Sequence, residues 1–330
     1  MSQAGDVAEN RGLAPVLSVV TPAFNEASNL PLLYRRIGEV LNPTGVSWEW
    51  LIVDDHSHDA TFEVVRSIAA ADPRVRGIRL ARNSGSHVAL SCGLSQCRGR
   101  CAAFLAADMQ DPPETMIALL EKWRAGSQVV WAVRAQREGE KASTLLFARF
   151  YYWIMRRVVG LQDMPAKGAD FFLLDRRVMD AFRQFPESNL SMVALITWMG
   201  FRQDRIEYVK QARLHGASGW SFEKRLKLVI DSVTSFTYLP IRLMSYSGFL
   251  IALCGFLYAA FLILHAFAGH PAEGWTSLMV VVLVIGGFQM LLLGVLGEYI
   301  WRALDEARRR PRYLVEDATA PLWPESRDDE

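Results

Sequence analysis

Two long stretches without a charged residue constrain this chain more than any other feature. Leu243 to Phe267 and Trp275 to Leu296 contain no Asp, Glu, Lys or Arg. Each exceeds the roughly 20 residues needed to cross the hydrocarbon core of a bilayer. Only Ala268 to Gly274 separates them, so they read as a helical hairpin. Its flanks set an orientation. Lys224, Arg225, Lys227 and Arg242 precede it, Arg302, Arg308, Arg309, Arg310 and Arg312 follow it, and the connecting loop has no Lys or Arg. The positive-inside rule places both flanks, and with them the rest of the chain, in the cytoplasm. The alternative, a soluble hairpin of core helices, requires the same segments to be covered by protein.

The remainder is long enough for one sizeable domain. Of 330 residues, 51% are hydrophobic and 22% charged, and the apolar excess lies after residue 240. Net charge is +1, and no basic, aromatic-studded stripe supports nucleic-acid binding. Cys92, Cys97 and Cys101 have no Cys-x-x-Cys spacing and no neighbouring histidine cluster, so zinc is not expected. With Cys254 they read as small apolar residues in a reducing compartment. Met1 to Ala14 is polar and lacks the apolar core of a signal peptide, which again points to a cytoplasmic first domain.

Between Val16 and Arg134 the pattern alternates. Strands are expected at Leu17–Val20, Glu49–Val53, Val75–Leu80, Cys101–Ala106 and Gln128–Val133, with helices near Leu30–Leu41, Thr61–Ala71, His87–Cys97, Thr115–Arg124 and Thr144–Val159. Such alternation implies an α/β fold with a mostly parallel sheet covered on both faces. Further on, Ala169–Leu174 and Arg205–Tyr208 read as strands, and Arg176–Phe185 and Met192–Met199 as helices. The expected organisation is a loose tail over 1–14, a domain over 15–212, a juxtamembrane amphipathic segment over 213–242, two transmembrane helices over 243–301, and a basic cytoplasmic tail over 302–330.

The strand ends carry the chemistry. The run Cys101 to Ala107 delivers Asp108-Met-Gln-Asp-Pro-Pro-Glu114, and the first two strands end in Thr21-Pro-Ala-Phe-Asn-Glu26 and Asp54-Asp-His-Ser-His-Asp-Ala-Thr61. The third ends in Arg82-Asn-Ser-Gly85. Carboxylates at the carboxyl edge of a parallel sheet lie where such folds bind ligands. His56, His58 and His87 have no ligand spacing. A dinucleotide oxidoreductase is disfavoured because no Gly-x-Gly-x-x-Gly turn follows the first strand.

These motifs, with Leu296-Gly-Glu-Tyr-Ile300, resemble those of the family 2 glycosyltransferases of GT-A fold, from about Val16 to Val315. Within that family the chain looks like the polyprenyl-phosphate glycosyltransferases, which include undecaprenyl- and dolichyl-phosphate sugar transferases. The resemblance implies a UDP- or GDP-sugar donor, a polyprenyl phosphate acceptor in the bilayer, Mg2+ or Mn2+, and inversion without a covalent intermediate. It also implies an inner-membrane, multi-pass protein with both termini cytoplasmic. A homo-oligomer and a downstream flippase or transferase are compatible partners.

Residue by residue, Asp108 is the expected metal carboxylate, and Gln110 points the same way if the segment is extended. Where the family commonly has Asp-x-Asp, this chain has Ala106-Ala-Asp108. Pro22, Phe24, Glu26, Asp55 and Asn83 match donor-binding positions, with Asp55 on the base and Asp54 on buried backbone. Plain core packing is the alternative for Phe24. His56 stands where the family usually has glycine. Arg134 and Arg176 match phosphate-binding arginines, since a guanidinium fork grips phosphate in two places. Arg176 as a surface helix charge is the competing reading. Asp170 is expected to position the acceptor, and Phe172 replaces a frequent arginine. Arg213, Ser218, Lys224 and Arg225 are expected on the acceptor side, although a linker helix packed on the domain would also explain that segment. Two rival functions remain: transfer to another lipid such as diacylglycerol, and a catalytically silent relative, motivated by Ala106, that binds lipid or a partner.

Overall fold

β-Branched and aromatic runs form the strands, and the polar clusters between them form the turns. The computed structural model describes residues 14–135, 151–165, 171–185, 191–210, 237, 239–267, 274–308 and 310–322. Strands β1 (Leu17–Ala23), β2 (Trp48–Asp54), β3 (Val75–Leu80), β4 (Cys101–Phe104), β5 (Val129–Arg134), β6 (Phe171–Asp175), β7 (Gln203–Tyr208) and β8 (Val315–Ala318) make one sheet in the order β7-β5-β6-β4-β1-β2-β3-β8. Pairings β1–β2, β2–β3, β1–β4 and β5–β7 are parallel, whereas β6 runs antiparallel between β4 and β5, and β8 antiparallel to β3. The sheet is thus mostly parallel, as the alternation implies.

Helices α1 (Leu30–Leu41), α2 (Thr61–Ala71), α3 (Ser86–Gln96), α4 (Thr115–Arg124), α5 (Arg176–Arg183) and α6 (Met192–Trp198) cover the two faces. Alternation within each strand divides the core. Leu17, Val19, Trp50 and Ile52 pack with α1, α2 and α4, while Val20, Leu51 and Val53 pack with α3, α5 and α6. Gly93 lets α3 approach closely, because a Cβ there would overlap the Val20 side chain. The expected helix over 144–159 is described only at its end, where Ile154–Val158 forms a π-helical turn.

A buried ion cluster ties the amino-terminal edge of the sheet. Glu49 accepts from Ser18 Oγ at 2.5 Å, Arg98 N at 2.6 Å and Arg76 Nη2 at 2.9 Å, and Arg76 also donates to the Gln96 carbonyl at 2.8 Å. Glu49→Gln would leave the buried Arg76 without its opposite charge. It is expected to destabilise the domain by about 3 kcal/mol, read as a lower denaturation midpoint of the solubilised protein. An unchanged midpoint would contradict that role.

Helices α7 (Leu239–Phe267) and α8 (Trp275–Ala307) are long and apolar enough to cross a membrane. Phe249, Phe256 and Met290 are 71%, 76% and 72% exposed. Among the described residues, the two helices are not covered by the rest of the chain. The chain then returns to the domain. The tail expected over 302–330 is not uniformly a tail, since Val315–Ala318 pairs with β3 as an edge strand. Close approach is possible there because residue 77 is glycine, where a Cβ would overlap Val65 and crowd Thr319.

Candidate active site

The sheet changes direction between β1 and β4. From β1 the chain winds outward through β2 and β3, then crosses to β4 on the other side. The carboxyl ends flanking such a switch form a crevice, the usual ligand site of open α/β sheets. The carboxyl ends of β1, β2, β3 and β4 and the segments after them hold Pro22 to Glu26, Asp54 to Thr61, Arg82 to Gly85 and Asp108 to Glu114. Three non-glycine residues here adopt the left-handed region: Asn25 (φ 57°), His56 (φ 60°) and Met109 (φ 60°). Strained backbone of this kind concentrates at functional sites.

The first two loops are stitched together. Asn25 N donates to Ser57 Oγ at 2.9 Å, Glu26 N to Thr61 Oγ1 at 2.9 Å, and His58 N to Asn25 Oδ1 at 2.9 Å. Glu26 accepts from Asn29 Nδ2 at 2.5 Å and its carbonyl receives the first N–H groups of α1. Phe24 is 40% exposed and meets His58 edge-on, with centroids 5.9 Å apart. It is therefore not a core residue.

Asp54 and Asp55 divide their work. Asp54 is fully buried, accepts Ser57 N at 3.0 Å and pairs with Arg79 at 3.0 Å, in keeping with its expected backbone role. Asp55 accepts from Ser84 N at 2.8 Å and Gly85 N at 2.7 Å, which draws the Asn83 loop against the end of β2. Gly85 has a φ of 93°, a conformation that favours glycine. Burial pushes the Asp55 carboxyl above the ordinary aspartate range, opposed by those two N–H donors. Asn83 itself is exposed on the loop.

His56 adopts φ 60°, a left-handed conformation that glycine reaches more readily. Its Nδ1 lies 3.1 Å from the Leu80 carbonyl and 3.3 Å from Glu316 Oε2. Both neighbours are acceptors, so Nδ1 carries the proton.

Asp108 is 8% exposed and its Oδ1 accepts the Gln110 N–H at 3.2 Å. This is an Asx turn with Met109 left-handed, not an extended segment. The expectation that Gln110 follows Asp108 by strand alternation is therefore corrected. Asp111, 1% exposed, accepts from Tyr208 Oη at 2.6 Å and lies 3.9 Å from Lys210 Nζ. It ties the acidic turn to β7, a link sequence reasoning missed although Asp111 lies within the quoted motif. Among the described residues no three His, Cys, Asp or Glu side chains cluster as metal ligands. One turn-fixed carboxylate fits an ion of the magnesium class, which takes one or two carboxylates and completes its shell with substrate phosphates and water.

Arg134 ends β5 opposite Tyr208 in the register, at this same edge. Arg176 does not reach it. Because β6 is antiparallel, Asp175 pairs with Cys101 at the start of β4, and Arg176 donates there to the carbonyls of Cys97 and Gly99. Its assignment to phosphate is corrected to a structural cap on the opposite edge. Phe172 is buried against Phe104 and Trp131. Asp170, Arg213, Ser218, Lys224 and Arg225 lie outside the described residues. Cys92 and Cys97 are buried, and burial pushes their thiols up to about 12 and about 11, so they stay protonated core groups.

The description "Glycosyl transferase family 2" matches residues 18–182. The "Uncharacterized glycosyltransferase YkcC" of Bacillus subtilis (strain 168) is 38% identical over 301 residues, covering 91% of this chain and 93% of that protein. The "Bactoprenol glucosyl transferase" of Shigella phage SfV is 33% identical over 302 residues, covering 91% and 98%. The solved mannosyl-3-phosphoglycerate synthase from Rubrobacter xylanophilus superposes with a TM-score of 0.48 at 17% identity, over 71% of this chain and 75% of that one. By the family match and by these full-length relatives, the chain belongs to glycosyl transferase family 2.

Proposed function

We propose that this chain transfers a sugar from a UDP- or GDP-linked donor to a polyprenyl phosphate at the cytoplasmic face of the inner membrane, with inversion. One observation carries the reading: a single chain joins an acid-lined crevice at strand ends to two long helices with exposed apolar side chains. Similarity to a bactoprenol glucosyl transferase along nearly all of that protein's length supports a lipid-linked acceptor.

A sugar hydroxyl acceptor would need a general base. A polyprenyl phosphate is already an anion at neutral pH. Its oxygen forms the bond to the anomeric carbon while the bond to the donor diphosphate breaks, and the diphosphate leaves with the electron pair. The protein's task is positioning and charge stabilisation. Asp108 would hold a Mg2+ or Mn2+ ion, which when bound neutralises charge on the leaving diphosphate. Asp55 and the Pro22–Glu26 loop, with Phe24 and Asn83, orient base and ribose. Arg134 faces phosphate from the end of β5. Asp170 positions the acceptor, and Arg213, Ser218, Lys224 and Arg225 receive its headgroup.

Arg134→Lys should lower kcat/KM by about tenfold, because lysine keeps the charge but loses the bidentate fork. Equal kinetics for the two proteins would make Arg134 merely electrostatic or structural.

The donor half of the proposal is tested by melting the wild-type protein with a panel of nucleotide sugars and Mn2+. A bound donor raises the midpoint in proportion to the logarithm of its concentration over its Kd. At least one UDP- or GDP-sugar should do so, and more strongly with the ion. No shift with any donor would refute it. Donor binding without turnover would favour the silent relative that Ala106 suggests.

A further inference from the structure

The strand that follows the second apolar helix reaches the donor side of the crevice. Glu316 is the second residue of β8. Arg79 Nε donates to Glu316 Oε2 at 2.9 Å, and the same guanidinium donates to Asp54 Oδ2 at 3.0 Å and to the Ser57 carbonyl at 3.1 Å. His56 Nδ1 lies 3.3 Å from the same Glu316 oxygen. Ser57 in turn receives the Asn25 N–H through its hydroxyl. One carboxylate outside the 18–182 family match thus braces both the left-handed His56 and the cation that locks the turn around Asp55.

We propose that Glu316 is a positioning residue for the donor nucleotide, acting through Arg79 and His56 on the turn that carries Asp55. The inference rests on the nucleotide-donor reading above. Its physical basis is the cost of the turn. A non-glycine residue at φ 60° is held there only if its surroundings over-determine it. Two contacts do so from outside the loop: the Leu80 carbonyl and Glu316. Burial alone would weaken the protonation of Arg79, yet its hydrogen bond to Glu316 and the nearby Asp54 charge raise its pKa overall. The guanidinium is therefore a fixed cationic bridge.

β8 supplies its own control. Asp317 on the same strand is held by its hydrogen bond to Arg66 of α2 and feels the Arg79 charge only at a distance, while the Arg79 hydrogen bonds go to Glu316, Asp54 and the Ser57 carbonyl. Asp317→Asn removes the contact to Arg66 and leaves the hydrogen bonds of Arg79 to Glu316, Asp54 and Ser57 in place, whereas Glu316→Gln weakens the brace on the turn itself.

The experiment uses the full-length protein in liposomes, with initial rates against nucleotide sugar and polyprenyl phosphate, and donor affinity by calorimetry. Glu316→Gln is expected to raise donor KM and Kd about three- to fivefold, the range of a partly exposed ion pair, with kcat and acceptor KM within about twofold. Glu316→Asp should recover part of that loss, and Asp317→Asn should match wild type. An unchanged donor Kd in Glu316→Gln would overturn the proposal. So would an equal rise in Asp317→Asn, which would mean general loosening of the strand. If Glu316→Gln fails to fold, the Kd of Glu316→Asp decides, and a wild-type value refutes. Wild-type protein that binds no nucleotide sugar would instead bring down the donor reading, and this inference with it.

Discussion

Asp108→Asn is expected to lower sugar transfer on the order of a thousandfold while the domain stays folded. Asparagine fills the same volume and can still accept the Gln110 N–H that closes the turn, so the local structure has little reason to change. What it removes is the negative charge at the crevice. With Ala106 in place of a second carboxylate, no other acidic side chain of that motif position shares the load. Loss of one principal ligand should therefore be severe here. The check is steady-state transfer across a range of Mn2+ concentrations, with melting to establish folding. A folded Asp108→Asn protein of near-normal activity at low Mn2+ would remove Asp108 from metal binding.

The second large effect concerns the membrane. Lys224, Arg225 and Lys227 precede the first long apolar helix in the sequence, and the proposed acceptor reading brings them to the lipid phosphates. Each basic side chain near an anionic surface contributes about 1 kcal/mol, so replacing all three by glutamine should raise the apparent requirement for lipid acceptor on the order of a hundredfold. Donor KM should stay near wild type. The effect should shrink at high salt, because screening weakens the attraction already present in the native protein. Initial rates in anionic liposomes decide it: a weakened donor with unchanged acceptor dependence would mean that this segment does not face the lipid. Truncation after Lys210 is not an equivalent experiment. It would remove β8 along with the membrane helices and so take the brace from the donor turn.

Much of the fold was legible because its signals are local. Helices Leu30–Leu41, Thr61–Ala71 and Thr115–Arg124 follow from apolar spacing alone, and their bounds match the structure. Asp108, Asp55 and Arg134 reach one edge because parallel strands deliver their carboxyl ends to the same side. Two of the failures share a cause: pairing direction and partner are not local. Arg176 follows a strand as Arg134 ends one, but β6 runs the other way, so the two arginines finish on opposite edges. Val315-Glu-Asp-Ala318 is too short and polar to read as a strand, and becomes one only because β3 offers it an unpaired edge. Gln110 was misjudged because the aspartate two residues earlier captures its N–H and turns the chain. His56 looked like a disruption of a glycine turn. In the structure His56 is left-handed, and contacts from β3 and β8 hold it there.

The central claim, transfer of a sugar to a polyprenyl phosphate, is tested most directly by following a labelled nucleotide sugar into lipid. Purified protein in liposomes would be given each UDP- and GDP-sugar with Mg2+ or Mn2+, and either polyprenyl phosphate or diacylglycerol. Label should enter the organic phase only with polyprenyl phosphate, at no more than one sugar per phosphate, and not at all with Asp108→Asn. Label carried by diacylglycerol alone, or none in either lipid from protein that binds its donor, would contradict the account.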